Sequence, residues 1–208
     1  MATTSSSPAP WPAAEAARLY LVTGARQDLG AFLEAAVRGG VDLVQLREKR
    51  LPDGELLATL EEARAVTRRL GVPLVVNDRP DLAVLVGADC VHVGQEDLPV
   101  EAVRRFGLPV GLSTHSPGDL ARAKADYVGV GPVFATPTKE GRPAVGVEYV
   151  RHAAVHARVP WFAIGGIDET NVRDVVAAGA IRIAVVRAIG EAHDPERAAR
   201  VLREALGR

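Results

Sequence analysis

The sequence predicts a single closed (β/α)8 (TIM) barrel, an α/β fold, on three observations. From residue 18 onward short runs of Val, Ile and Leu alternate with longer stretches of helical spacing. The runs are apolar on both faces rather than only at every second position, which marks strands covered on both faces and hence a parallel sheet. There are eight such runs in 208 residues, the number that closes a parallel barrel. An open doubly wound sheet is the alternative. Its dinucleotide fingerprint is missing, since Thr23-Gly24-Ala25-Arg26 offers one glycine after the first run.

The strands are predicted at 19–23, 43–46, 74–77, 90–93, 110–113, 127–130, 161–164 and 181–186. Between the second and third, residues 55–70 carry Leu56, Leu60, Ala63, Val66 and Leu70 on one stripe, with Glu61, Glu62, Arg64, Arg68 and Arg69 mostly outside it. Residues 171–178 repeat the scheme with Val172, Val175 and Val176, and Gly179 stands where a helix C-terminal cap belongs. Asp194-Pro195 opens the last helix as a capping residue followed by Pro at the first helical position. The long connection is the polar segment between Val133 and Val147. It follows strand six on the rim where barrels place their chemistry, and is expected to act as a lid or binding element.

Composition narrows the function. Twenty-five Lys and Arg face 26 Asp and Glu, a net charge of −1, so there is no basic excess for a nucleic-acid footprint. No apolar stretch approaches the ~20 residues of a membrane helix. The single cysteine, Cys90, excludes an internal disulfide and a cysteine-built metal centre. Residues 1–12 are rich in Ala, Ser, Thr and Pro and lack Lys and Arg, so residues 1–17 are expected to be a disordered or loosely attached tail rather than a secretory signal. Residues 18–208 are the barrel domain, and a cytoplasmic location is expected.

Charge at strand ends points to the site. Gln45, Arg47 and Lys49 stand at i, i+2 and i+4, on one face of an extended segment, while Leu46 and Glu48 point the other way. Two cations and an amide at a barrel mouth match a phosphate or diphosphate, or else pair with carboxylates of neighbouring strands. Strand three ends in Asn77-Asp78, and strand four runs through His92 into Gly94 and Asp97. Asp78 and Asp97 can converge on Mg²⁺ completed by phosphate and water oxygens. Alternatively each caps the helix after it, since each precedes a Pro by two residues. Ser113 and His115 end strand five, and no nucleophile–base–acid constellation points to covalent catalysis. Gly165-Gly166 after strand seven and Val186-Arg187 after strand eight suit a monophosphate or, more simply, a tight turn.

Taken together, residues 45–49, Asn77-Asp78, residues 92–97, residues 131–139 and residues 163–167 resemble the thiamine-phosphate synthases, in order and spacing, from about Leu19 to Leu206. The resemblance implies a transferase acting on two small phosphorylated substrates: a hydroxymethylpyrimidine diphosphate joined to a thiazole phosphate, with release of pyrophosphate and use of Mg²⁺. It implies that Gln45, Leu46, Arg47, Glu48, Lys49, Asn77, Ser113 and Lys139 hold the pyrimidine diphosphate, with Arg47, Lys49, Ser113 and Lys139 serving catalysis. Asp78 and Asp97 would bind the metal, and Thr136, Pro137, Thr138, Gly166, Val186 and Arg187 the thiazole phosphate. Arg187 stands where many relatives carry Ser: with a backbone N–H contact the change is harmless or adds a cation near that phosphate, whereas a required hydroxyl would be lost. A thiazole tautomerase of the same barrel type and a non-catalytic phosphate-binding barrel are the alternatives.

Overall fold

A computed structural model describes residues 11–136 and 143–207. Eight parallel strands close on themselves in chain order: β1 (Leu19–Thr23), β2 (Leu43–Leu46), β3 (Leu74–Asn77), β4 (Cys90–Val93), β5 (Val110–Thr114), β6 (Tyr127–Val130), β7 (Trp161–Ile164) and β8 (Ile183–Val185). The ring is sealed where Leu19 pairs with Ile183 and Leu21 with Val185. The helices that follow the first seven strands are α2 (Leu29–Arg38), α3 (Asp53–Leu70), α4 (Pro80–Val86), α5 (Val100–Val103), α6 (Pro117–Arg122), α7 (Gly146–His156) and α8 (Val172–Ala177). The short α9 (Arg187–Gly190) and α10 (Pro195–Ala205) follow β8, and α1 (Pro12–Ala16) precedes the barrel. The predicted (β/α)8 barrel is therefore the observed one.

Alternation along each strand sorts the side chains into two compartments. Leu19, Leu21, Val44, Leu46, Val76, Val91 and Val93 pack outward in the layer shared with the helices. Tyr20, Leu43, Val75, Cys90, Tyr127, Phe162 and Ala184 fill the barrel interior. Two residues beyond several of these, towards the C-terminal rim, stand Val22, Gln45, Asn77, His92, Gly129, Ile164 and Val186. The register (Asn77 beside His92, His92 beside Gly111) brings the side chains of this upper layer to one opening.

Helix boundaries follow local chemistry. α3 starts two residues before the predicted position, with Asp53 and Glu55 in its first turn after Pro52, and stops at Gly71 in the left-handed region at φ 70°. The Asp194 carboxylate accepts from the Arg197 N–H at 2.9 Å, so α10 carries the predicted cap. β8 is shorter than expected because Ile181 is exposed and only 183–185 pair.

The N-terminal segment differs from expectation. Residues 1–10 lie outside the described residues, but 11–17 form the floor of the barrel. Ala14 and Ala17 are buried among the interior residues, the Trp11 ring lies 5.9 Å from that of Tyr127, and the Arg182 guanidinium donates to the Glu15 carbonyl at 2.7 Å. A barrel interior open at its N-terminal end needs an apolar cover. Small residues and one indole supply it here, in a composition that reads as low complexity in sequence.

Gly111 shows how tightly the interior is packed. A Cβ there would meet the Tyr127 ring at 2.2 Å, whereas one at Gly54 would meet nothing within 4 Å. Gly111→Ala is expected to destabilise by about 1–3 kcal/mol, with Tm falling by roughly 2–4 °C per kcal/mol in a domain of this size. Gly54→Ala, in helix α3, should raise Tm. Thermal melts followed by circular dichroism distinguish the two.

Candidate active site

The barrel mouth opens on a cavity of about 330 Å³ lined from β1 through to α9. Of the segment after β2, Gln45, Arg47 and Lys49 line it. The other two residues do not bring their side chains there. Leu46 is buried in the layer between strands and helices, and Glu48 accepts the Lys49 and Arg50 backbone N–H groups at 2.8 and 3.0 Å. This is the alternation that the i, i+2, i+4 spacing of Gln45, Arg47 and Lys49 predicts, with Leu46 and Glu48 pointing the other way.

Arg47 is half-buried and, among the described residues, has no ion-pair partner; Lys49 is more exposed and sits 3.0 Å from the Asp78 carboxylate. Asp78 occupies the left-handed region at φ 62°, unusual for a residue with a side chain. Its N–H is held by the His92 carbonyl at 2.9 Å. Burial pushes the Asp78 carboxyl above the usual carboxylate range. The Lys49 hydrogen bond opposes that shift and the adjoining Asp97 carboxylate adds to it. Asp97 is held by the Gly94 N–H at 2.8 Å, and Gly94 has no room for a Cβ because the Asp97 carboxylate lies 2.8 Å from where it would be. The capping alternative does not hold. Arg79 and Pro99 stand at the caps of α4 and α5, and neither helix receives a side-chain cap.

Asn77 is 8% exposed, and its Nδ2 has no hydrogen-bond partner among the described residues although Asn77 lines the cavity. A buried amide donor left without an acceptor is costly, so this wall is built for a ligand oxygen. The donor set also fits Mg²⁺. A carboxylate whose ionisation is opposed by a second one, as that of Asp78 is by Asp97, gains from a cation between them. Magnesium takes its remaining ligands from phosphate and water rather than from a full protein cage. No group of three or more His, Cys, Asp or Glu side chains that could hold a metal ion gathers among the described residues.

The opposite wall holds Thr136, Gly166, Val186 and Arg187. Gly165 and Gly166 are at φ 104° and 65°, and a Cβ on Gly166 would meet Phe134 and Ala135 at 2.8 and 2.9 Å, so neither position tolerates another residue. The Asn171 amide donates to the Gly166 carbonyl at 2.8 Å and pins the turn. Pro137, Thr138 and Lys139 fall outside the described residues.

Sequence reasoning left three further residues of the cavity unassigned. His92 Nε2 lies 3.0 Å from Ser113 Oγ and its Nδ1 3.0 Å from the Tyr127 hydroxyl. That hydroxyl is 2.9 Å from the Tyr20 hydroxyl, which accepts from the Gln45 amide at 2.5 Å. Tyrosines within apolar runs read as core, and only the barrel register shows that these two reach the mouth together.

A closed parallel barrel with a cationic strand end, two converging carboxylates and a glycine turn across the opening defines an enzyme of the phosphate-handling barrel class. The comparisons narrow it. The thiamine monophosphate synthase profile matches residues 19–189. A thiamine-phosphate synthase of Thermus thermophilus is 55% identical over 199 residues, covering 91% of this chain and 97% of the relative. One of Gloeobacter violaceus is 52% identical over 199 residues, covering 93% of this chain but only 58% of that longer relative. Among solved structures, a thiamine phosphate pyrophosphorylase from Pyrococcus furiosus superposes with a TM-score of 0.82 at 32% identity, covering 91% of this chain and 95% of its own. The chain belongs to the thiamine monophosphate synthase family, a family of transferases. No helix among the described residues is long and apolar enough to cross a membrane.

Proposed function

We propose that this chain joins a 4-amino-2-methyl-5-hydroxymethylpyrimidine diphosphate to a thiazole phosphate, or its carboxylated form, giving thiamine monophosphate and pyrophosphate. The observation that carries the reading is the wall where Arg47, Lys49, the unpartnered Asn77 amide and the Asp78–Asp97 pair meet. A site for one monophosphate, as in a tautomerase, has no use for a cationic and acidic wall facing the Gly166–Arg187 side of the same cavity.

The reaction leaves little covalent work for the protein. Electron density from the pyrimidine amino group assists rupture of the C–O bond, so the diphosphate departs before the thiazole nitrogen attacks. Negative charge then grows on the leaving group. Arg47, Lys49 and Lys139 stabilise it electrostatically, in a site partly closed to water where such charges count for more. Mg²⁺ held by Asp78 and Asp97 would supply further neutralisation of the diphosphate oxygens. Asn77 donates to the same group, Gln45 and Ser113 contact the pyrimidine, and Gly166, Val186, Arg187 and residues 136–138 hold the thiazole phosphate. Residues 136–142 belong to the connection expected from sequence to act as a lid or binding element, and 137–142 lie outside the described residues.

The test is a coupled assay for pyrophosphate release. The reading expects release only with both substrates present, and strong dependence on Mg²⁺. Release of no pyrophosphate alongside isomerisation of the thiazole phosphate would replace it with the tautomerase reading.

A further inference from the structure

Five side chains cross the barrel mouth in one unbroken hydrogen-bonded line: Gln45, Tyr20, Tyr127, His92 and Ser113, with successive separations of 2.5, 2.9, 3.0 and 3.0 Å. Gln45 is 3% exposed, Tyr20 2% and Tyr127 0%, so bulk water does not reach the middle of the line. The packing is built around it. Gly111 leaves the space that the Tyr127 ring fills, and Phe162 meets both tyrosine rings edge-on at 5.2 and 5.7 Å.

Such a line has a direction. Burial holds both phenols well above their usual range, so each keeps its one hydrogen. A phenol that accepts from one neighbour must give its hydrogen to the other. The Gln45 amide donates to Tyr20, so the Tyr20 hydrogen goes to Tyr127 and the Tyr127 hydrogen goes to His92 Nδ1. A ring nitrogen that accepts in a neutral imidazole leaves the proton on the other nitrogen. Nε2 therefore carries it, and donates to Ser113 Oγ. Reversing any one link reverses them all, because each hydroxyl has a single hydrogen.

We infer that Tyr20, Tyr127 and His92 are positioning residues that set the hydrogen-bond polarity of the site. The Gln45 amide fixes His92 as the Nε2–H tautomer and makes Ser113 an acceptor towards it. At the other end, the same amide is committed to Tyr20 through nitrogen, which leaves its oxygen as the acceptor at the Gln45 end of the cavity. The ligand feature that matches is an exocyclic N–H there, which an aminopyrimidine offers and its 4-oxo counterpart replaces with an acceptor. This last step rests on the proposed function; the tautomer assignment does not.

The test uses the full chain labelled with ¹⁵N-histidine and no substrate, His92 being assigned by loss of its signals in His92→Gln. In the parent, the His92 Nε2 is expected at the protonated frequency and Nδ1 at the unprotonated one; the opposite assignment overturns the inference. Gln45→Glu places an acceptor-only carboxylate at the head of the line and is expected to exchange the two frequencies, with the proton now on Nδ1. An unchanged pattern in the folded variant overturns it. Tyr127→Phe removes the central hydroxyl, so Gln45→Glu in that background is expected to produce no exchange; an exchange that persists there also overturns it. Calorimetric titration adds the ligand arm. The aminopyrimidine diphosphate should bind the parent at least tenfold tighter than its 4-oxo analogue, and Gln45→Glu should reverse or abolish that order. The same order in both proteins contradicts the specificity claim. Binding of neither compound by the parent instead counts against the proposed function, and the tautomer result decides the inference independently.

Discussion

Asp97→Asn is expected to lower turnover by about 10²–10³-fold, and to raise the Mg²⁺ concentration needed for half-maximal rate by at least tenfold. The substitution is narrow in its structural effect. Asparagine keeps a carbonyl oxygen to receive the Gly94 N–H now held at 2.8 Å, so the turn after β4 should survive. What it removes is the second negative charge. In the parent, burial and the neighbouring Asp97 both raise the Asp78 carboxyl against the pull of Lys49. With asparagine in place the Asp78 carboxyl should ionise more easily and bind Lys49 more firmly, yet the pair can no longer hold a divalent ion between two charges. Steady-state rates across a Mg²⁺ titration, with a melt to confirm folding, check both halves. A parent-like Mg²⁺ dependence would remove Asp97 from the metal site.

Arg47→Gln is expected to cost a similar factor, about 10²–10³ in kcat, with a smaller rise in KM for the pyrimidine diphosphate. Lys49 already spends part of its charge on Asp78 at 3.0 Å, whereas Arg47 is half-buried at the same wall and has no ion pair among the described residues. Its guanidinium is thus the less neutralised of the two cations, and can receive two diphosphate oxygens at once. Charge grows on those oxygens as the C–O bond breaks, so the contact strengthens on the way to the transition state and its loss should fall on kcat. Single-turnover rates at saturating substrate separate this from weakened binding. An Arg47→Gln enzyme with parent-like kcat and raised KM would make Arg47 a binding residue only.

The barrel was legible because a strand covered on both faces carries apolar residues on both, and β1, β2, β3 and β7 depart from that only at Thr23, Gln45 and Asn77, at or near their C-terminal ends. The cationic wall was legible for a related reason: Arg47 and Lys49 break that rule where the strand leaves the core. Asp78 and Asp97 stood out as acids at adjacent strand ends, and their convergence follows from the parallel register of β3 and β4. The chain from Gln45 to Ser113 was not legible. Tyr20 and Tyr127 are 107 residues apart in sequence, and nothing local distinguishes a core tyrosine from one whose hydroxyl meets another across a closed barrel. The floor formed by residues 11–17 was hidden by composition, since a helix of five residues with one buried alanine, Ala14, and a second, Ala17, at its cap has no periodicity to read. Leu46 and Glu48 follow the alternation expected of them. A contiguous motif invites five assignments, while an extended backbone can aim only alternate side chains at one cavity.

The central claim is that the ends of β2, β3 and β4 together bind a metal-complexed diphosphate. The most direct measurement is a crystal soaked in pyrophosphate with Mn²⁺ as the anomalous scatterer in place of Mg²⁺. The account predicts an anomalous peak between Asp78 and Asp97, with diphosphate density against Arg47, Lys49 and Asn77. Diphosphate seated instead at Gly166 and Arg187, with Asp78 and Asp97 bare of any peak, would contradict it.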